Sequence, residues 1–228
     1  MKSPTALIFD MDGVLVDSEP LHKRAKEEAF RQFGIVLPES VYDSYKGRPD
    51  ATMLPEVLGA RGFSPETVAE ISRVKHQIFE SIKHELRAVD GAADFVRWAA
   101  ARYQIALATS ATARNRELVL AVLNAGDVFE TIVDGSRHTR PKPDPEVFQV
   151  AMRELGVGPG DCWVIEDSVN GLLAANAAGC YAVAITTTFD RETLVVAGAD
   201  AVVDSFEELR DMLERREGRT ESSKLLQR

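Results

Sequence analysis

The sequence predicts an α/β protein in which a doubly wound parallel sheet is interrupted by one all-helical insert. Three observations carry this. Six short apolar runs, at 6–9, 105–108, 131–133, 163–165, 182–185 and 201–203, each lead into an acidic or small polar residue. Segments with helical spacing lie between most of them. One long stretch, 11–103, contains no clear strand at all.

Uninterrupted apolar runs of this length are the pattern of strands buried on both faces. The first is Ala6-Leu-Ile-Phe9. The stretch after it reads as helices over 19–33, 39–45, 51–60 and 65–86, divided by Gly34, Pro38, Gly47, Pro49, Gly62 and Pro65. It is too long for a crossover and is expected to form a small cap domain. The following helix starts near Gly91 and runs through FVRWAA. In DPEVFQVAMREL, Val147, Phe148, Ala151 and Leu155 share one stripe, and Pro145 suits a first turn. In SFEELRDMLERR, Ser205 is a candidate N-cap with Glu208 three residues on, a capping box. Strands alternating with helices at this spacing imply a parallel, Rossmann-like sheet covered on both faces. The expected division is a core of 1–16 and 87–216, a cap of 17–86, and a polar tail, 217–228, expected to fray.

Charge narrows the partners. The 228 residues carry 27 Lys and Arg against 36 Asp and Glu, a formal net charge of −9 at pH 7. Such a balance argues against nucleic acid and anionic membranes. It does not exclude a phosphorylated small molecule, because a bound cation inverts the field of one site. No apolar run approaches the length of a membrane span. The N-terminal MKSPTALIFDMDG does not read as a secretory signal, and two cysteines, Cys162 and Cys180, are too few for a disulfide framework. The expectation is a soluble, cytoplasmic protein, a monomer or small homo-oligomer. Apolar residues at 45% suffice for a sizeable core.

Ligands of open α/β sheets bind beyond the carboxyl ends of the strands. There the sequence places Asp10-Met-Asp12-Gly13, Thr109-Ser110 and Glu166-Asp167-Ser168, with Arg140-Pro-Lys142-Pro143 ahead of a helix. Asp10 and Asp12 leave the same face of an extended segment, and Gly13 lets the chain turn sharply. Four carboxylates cannot share one rim uncompensated: like charges 4 Å apart repel by ~4 kcal/mol at an effective dielectric of about 20. A divalent cation resolves this, and an all-oxygen donor set suits Mg²⁺. Each residue also has a plainer reading: solvated turn aspartates, a surface Lys142, Thr109 capping the helix through Arg114-Asn115, and Glu166-Asp167 capping the Ser168 helix.

As an ordered set, FDMDGVLVDSE, the Thr109 strand end, the Lys142 segment and VIEDSVNGLLAA resemble the four motifs of the haloacid dehalogenase superfamily. More narrowly they resemble its phosphatase and β-phosphoglucomutase-like branch with a helical cap. The likeness covers residues 5 to about 212. It implies Asp10 as nucleophile, Asp12 as general acid and base, Thr109 holding the phosphoryl group and Lys142 offsetting charge. It implies Mg²⁺ on the Asp10 carboxylate, the Asp12 carbonyl and Asp167, with Glu166 a further ligand or a holder of metal-bound water. It also implies cap opening on a hinge near Val16-Asp17 and Arg87-Ala88.

Substrate residues are less legible. His22, in SEPLH, resembles the substrate-facing histidine of mutase-type relatives, or is a surface histidine. Lys46-Gly47-Arg48 forms a basic turn that reaches substrate or is merely solvated. Asn115 and Ser110 follow the phosphate-binding strand end. Two activities use this machinery: a Mg²⁺-dependent phosphatase acting on a small phosphorylated metabolite, and a phosphosugar mutase. Arg48 directly adjoins Gly47, and SATARN follows Thr109; both depart from the mutase pattern and favour the phosphatase. A dehalogenase does not need the metal carboxylates, and a phospho-receiver does not need the cap.

Overall fold

The computed structural model describes residues 3–46 and 50–225, with side chains as far as residue 218. The chain divides into two compact units, one of residues 1–17 and 88–228 and one of residues 18–87.

In the first unit, β1 (Ala6–Phe9), β2 (Gln104–Ala108), β3 (Thr131–Val133), β4 (Cys162–Glu166), β5 (Tyr181–Ile185) and β6 (Ala201–Val203) form one parallel sheet of order β3-β2-β1-β4-β5-β6. β1 registers Ile8 against Ala106 of β2 and against Val164 of β4. Successive side chains of β1 leave opposite faces. Ala6 and Ile8 pack with Val147, Phe148 and Leu172, whereas the Phe9 ring meets Phe95 edge-on at 6.0 Å. Residues 6–9 are therefore buried without alternation, as their composition requires.

The second unit holds α1 (Glu19–Gln32), α2 (Glu39–Ser44), α3 (Asp50–Gly59) and α4 (Pro65–Ile82). Its own core gathers Ala29, Phe30, Met53, Leu54, Leu58 and Ile71. α4 stops four residues short of the expected 86 and tightens into a 3₁₀ turn, Lys83–Glu85. Such a turn is a common way to satisfy the last carbonyls of a helix.

The remaining helices belong to the first unit: α5 (Ala92–Ala100), α6 (Ala113–Leu123), α7 (Glu146–Leu155), α8 (Val169–Ala177), α9 (Arg191–Val196) and α10 (Phe206–Leu225). Pro145 occupies the N-cap of α7 rather than its first turn. Ser205 accepts from the Glu208 amide, but Glu208 reaches back to the Asp204 amide, one residue earlier than a capping box requires. α10 runs past Glu217 and continues to Leu225. Gly218, a residue type that often ends a helix, does not end this one.

Candidate active site

The order of the sheet creates the site. From β1 the chain moves outward through β2 and β3, then returns to β4 on the other side. The carboxyl ends of β1, β2 and β4 therefore meet at the topological switch point, where the neighbouring loops diverge and leave room for a ligand. Asp10, Thr109 and the Glu166-Asp167 pair stand there.

The turn after β1 is built by its backbone. The Leu15 and Val16 amides donate to the Met11 carbonyl at 2.8 and 3.2 Å, and the Gly13 amide donates to Val16 O at 2.7 Å. Gly13 has φ of 77°. A Cβ there would fall on the Asp167 carboxylate and within 2.7 Å of the Thr188 hydroxyl, so this turn accepts only glycine.

Lys142 reaches the centre from the loop ahead of α7. Its Nζ donates to Asp10 Oδ1 at 2.5 Å and to Glu166 Oε1 at 2.6 Å, and lies over the Phe148 ring. Burial opposes its charge, but the Asp10 and Glu166 carboxylates prevail and hold it above the ordinary lysine range. It is an ammonium donor here, not a base. The loop is clamped from behind by Glu146, whose carboxylate accepts from the Thr139 amide (3.1 Å) and the Arg140 amide (2.8 Å). Those donors, the Arg140 amide foremost, draw the Glu146 carboxyl down to about 2.

Glu166 is wholly buried, and its other oxygen accepts from the Asp167 amide, the Ser168 amide and the Ser168 hydroxyl at 3.0–3.2 Å. Ser168 itself caps α8, accepting from the Gly171 amide at 3.1 Å. The plainer reading of Glu166 as a helix cap is thus half right: it orients the residue that caps.

Asp10, Glu166 and Asp167 each offer a carboxylate oxygen within 4.8 Å of the others. Burial above all raises the Asp10 carboxyl to about 7, against the pull of Lys142. Burial, then the charges of Glu166 and Asp10, raise Asp167 well above its usual value. One ammonium among three buried carboxylates leaves the cluster short of positive charge. An oxygen-only set in this state fits a hard divalent cation, and Asp10 and Asp167 are the carboxylates that Lys142 and the α8 cap leave least engaged.

Thr109 is buried, its amide on the Val133 carbonyl and its hydroxyl accepting from the Ala111 amide at 3.1 Å. It does not cap α6; Thr112 does, accepting from the Asn115 amide. Ser110 is exposed beside it, and Asn115 lies in the first turn of α6. Gly135, after β3, lets this loop close in, since a Cβ there would meet Ser110 O at 2.7 Å.

Of the cap candidates, His22 is not a solvated histidine. It stacks on Phe79 with centroids 4.2 Å apart, and the Lys75 ammonium donates to its Nδ1 at 3.0 Å. Burial, then the charge of Lys75, lowers it to about 3, so the ring is neutral and its proton sits on Nε2. Lys75 also pairs with Asp50, and Lys26 lies 3.8 Å from Asp50 and 3.9 Å from Glu19. Lys26 and Lys75 are each 6% exposed, and Lys46 lies in the turn after α2. Arg48 lies outside the described residues.

Sequence reasoning missed Glu146, Lys75, Lys26, Glu19, Asp50 and the Thr187-Thr188 pair. The threonines were findable, since they follow a strand end; the cap charges were not, because helical spacing says nothing of which helices adjoin.

Fold and site together define an α/β enzyme with a lysine-bridged carboxylate centre at its switch point. The profile of the haloacid dehalogenase-like hydrolases matches residues 4–179. The chain belongs to this family, in its phosphatase and β-phosphoglucomutase-like branch. It is 32% identical over 203 residues to the phosphorylated carbohydrates phosphatase of Thermotoga maritima, covering 87% of this chain and 93% of that one. Among solved structures it resembles CbbY of Rhodobacter sphaeroides in complex with phosphate, at 31% identity and a TM-score of 0.73, covering 90% and 96%. It also resembles β-phosphoglucomutase of Clostridium difficile, at 27% identity and 0.74, covering 93% and 98%. None of the helices among the described residues is long and apolar enough to cross a membrane.

Proposed function

We propose that this enzyme is a phosphatase that hydrolyses a small phosphorylated metabolite, a sugar phosphate or short organic phosphate, through an aspartyl-phosphate on Asp10. The observation that carries this is Lys142, bridging Asp10 and Glu166 at 2.5 and 2.6 Å. One Asp10 oxygen is tethered, so the other is presented in a fixed direction, as a nucleophile must be. The curated relative from Thermotoga maritima, whose name specifies phosphorylated carbohydrates, supports the substrate class.

The free Asp10 oxygen attacks phosphorus and the bond to the leaving oxygen breaks. Asp12 gives its proton to that oxygen, then takes one from water. The water oxygen attacks phosphorus, the bond to Asp10 breaks, and inorganic phosphate leaves with Asp10 restored. Lys142 steadies the Asp10 carboxylate and the transferring oxygens, and Thr109 with the adjoining amides orients the phosphoryl group. The Asp10 carboxylate, the Asp12 carbonyl and Asp167 would hold Mg²⁺, and Glu166 would orient Lys142 and water on the metal. When bound, Mg²⁺ supplies neutralisation of the phosphoryl charge.

The second reading, a phosphosugar mutase, is favoured by the likeness to β-phosphoglucomutase of Clostridium difficile. A panel of phosphometabolites, assayed with MgCl₂ for released phosphate, tests both readings. Free phosphate should dominate with at least one sugar phosphate. With β-glucose 1-phosphate and its bisphosphate activator, glucose 6-phosphate forming faster than free phosphate would establish the mutase instead.

A further inference from the structure

Three successive threonines, Thr186 to Thr188, follow the end of β5, and each hydroxyl has a different task. Thr186 donates to Asp204 Oδ1 at 2.8 Å and ties the end of β5 to the end of β6. Thr187 donates to the Gly13 carbonyl, directly behind Asp12. The Thr188 hydroxyl lies beside the Asp167 carboxylate, since a Cβ built on Gly13 would stand 1.8 Å from Asp167 Oδ2 and 2.7 Å from Thr188 Oγ1.

We propose that Thr187 and Thr188 are positioning residues for the core site: Thr187 fixes the Asp10–Gly13 turn, and Thr188 aims Asp167. This rests on the phosphatase reading above and deepens it. The closeness of the parts supports it. Gly13, Asp167 and Thr188 are packed so that one added methyl on Gly13 would overlap the Asp167 carboxylate and press on Thr188. The turn bearing Asp12, the Asp167 carboxylate and the end of β5 therefore shift together or not at all.

The residue type fits the task. A carboxylate that receives a hydroxyl on one oxygen keeps the other for a cation, and its plane no longer rotates freely. A hydroxyl does this without adding a charge to an already crowded centre. Threonine, branched at Cβ, holds its hydroxyl in fewer rotamers than serine, so the aim is narrow. Both are positioning residues: Thr188 acts through Asp167, and Thr187 through the Gly13 carbonyl of the turn that carries Asp12.

The test measures Mg²⁺ binding to metal-free protein by titration calorimetry without substrate, beside steady-state phosphate release. Thr188→Val should weaken Mg²⁺ binding about ten-fold or more, while Thr188→Ser, which keeps the hydroxyl, should stay within about three-fold of wild type. Thr187→Val should lower kcat about ten-fold or more, as a small misplacement of a reacting group does, with substrate KM unchanged. If Thr188→Val loses its cooperative melt, Thr188→Ala takes its place beside Thr188→Ser. Equal Mg²⁺ affinity in the variant with and without the hydroxyl overturns the role of Thr188. Wild-type kcat in Thr187→Val overturns that of Thr187. Both results leave the phosphatase reading standing, whereas a wild-type protein that binds no Mg²⁺ and releases no phosphate removes that reading and this one with it.

Discussion

At the scale of single residues, the core site depends on contacts that leave no spare space. Asp10→Asn keeps the shape of the nucleophile and its place beside Lys142 but removes the attacking charge. Phosphate release should fall to background while the melting curve stays cooperative; retained turnover would exclude the covalent route. Gly171→Ala is subtler. Within a helix, alanine is ordinarily better than glycine by about 1 kcal/mol. Here its Cβ would lie on the Glu166 carboxyl group, which is wholly buried. The substitution should instead destabilise by about 1–3 kcal/mol, the usual range for overpacking, read from chemical denaturation. An unchanged midpoint would show that Glu166 has room to move. The residues of both variants were legible to different degrees. Asp10 announces itself through Asp-x-Asp-Gly after an apolar run. The demand for glycine at position 171 is invisible in the sequence, since it arises from a side chain on the preceding strand.

At the scale of elements, β1, β2, β4 and β5 were readable because they are buried on both faces and so are written without alternation, while the partly buried edge strands β3 and β6 still read as short apolar runs. The ends of elements were less so. Where α4 yields to a 3₁₀ turn, and which hydroxyl caps α6, depend on local backbone bonds rather than on periodicity. The cap helices carry a prediction of their own. His22 of α1 has a pKa of about 3 in the folded chain, against an ordinary 6.5, because burial and then the Lys75 charge oppose its protonation. Between those values the unfolded chain binds the proton and the folded one does not. Stability therefore rises with pH across this window, and is lost as pH falls from about 6.5 towards 3. Asp50, which the Lys75 and Lys26 charges hold low against burial, acts in the same direction below its usual carboxylate range. His22→Gln should accordingly lose less melting temperature than wild type between pH 6.5 and 4. Parallel pH profiles for the two proteins would show that the imidazole titrates freely.

At the scale of the whole molecule, a net charge of −9 conceals a division of labour. A few carboxylates gather at one switch point, while many of the rest lie on exposed surface, several of them in ion pairs. Those pairs, such as Arg24 with Glu85 and Arg210 with Glu214, are each worth little. Removing divalent cations should therefore act on catalysis far more than on folding. EDTA should silence phosphate release and excess MgCl₂ should restore it; turnover indifferent to the chelator would rule out a metal at Asp10 and Asp167. The sheet has one more consequence, which concerns the order in which the chain is made. β1 lies mid-sheet and carries the nucleophile, yet its two hydrogen-bonding neighbours are Gln104–Ala108 and Cys162–Glu166. The insert between β1 and β2 builds a core of its own, from Ala29 through Ile71 with Val74 and Ile78 packed against it. During synthesis the cap can collapse on local contacts, while the strand bearing Asp10 waits, both edges bare, for partners translated much later. A ribosome stalled before β4 would hold an insert with its own core and a β1 strand with one edge still unpaired, the kind of exposed edge that chaperones cover.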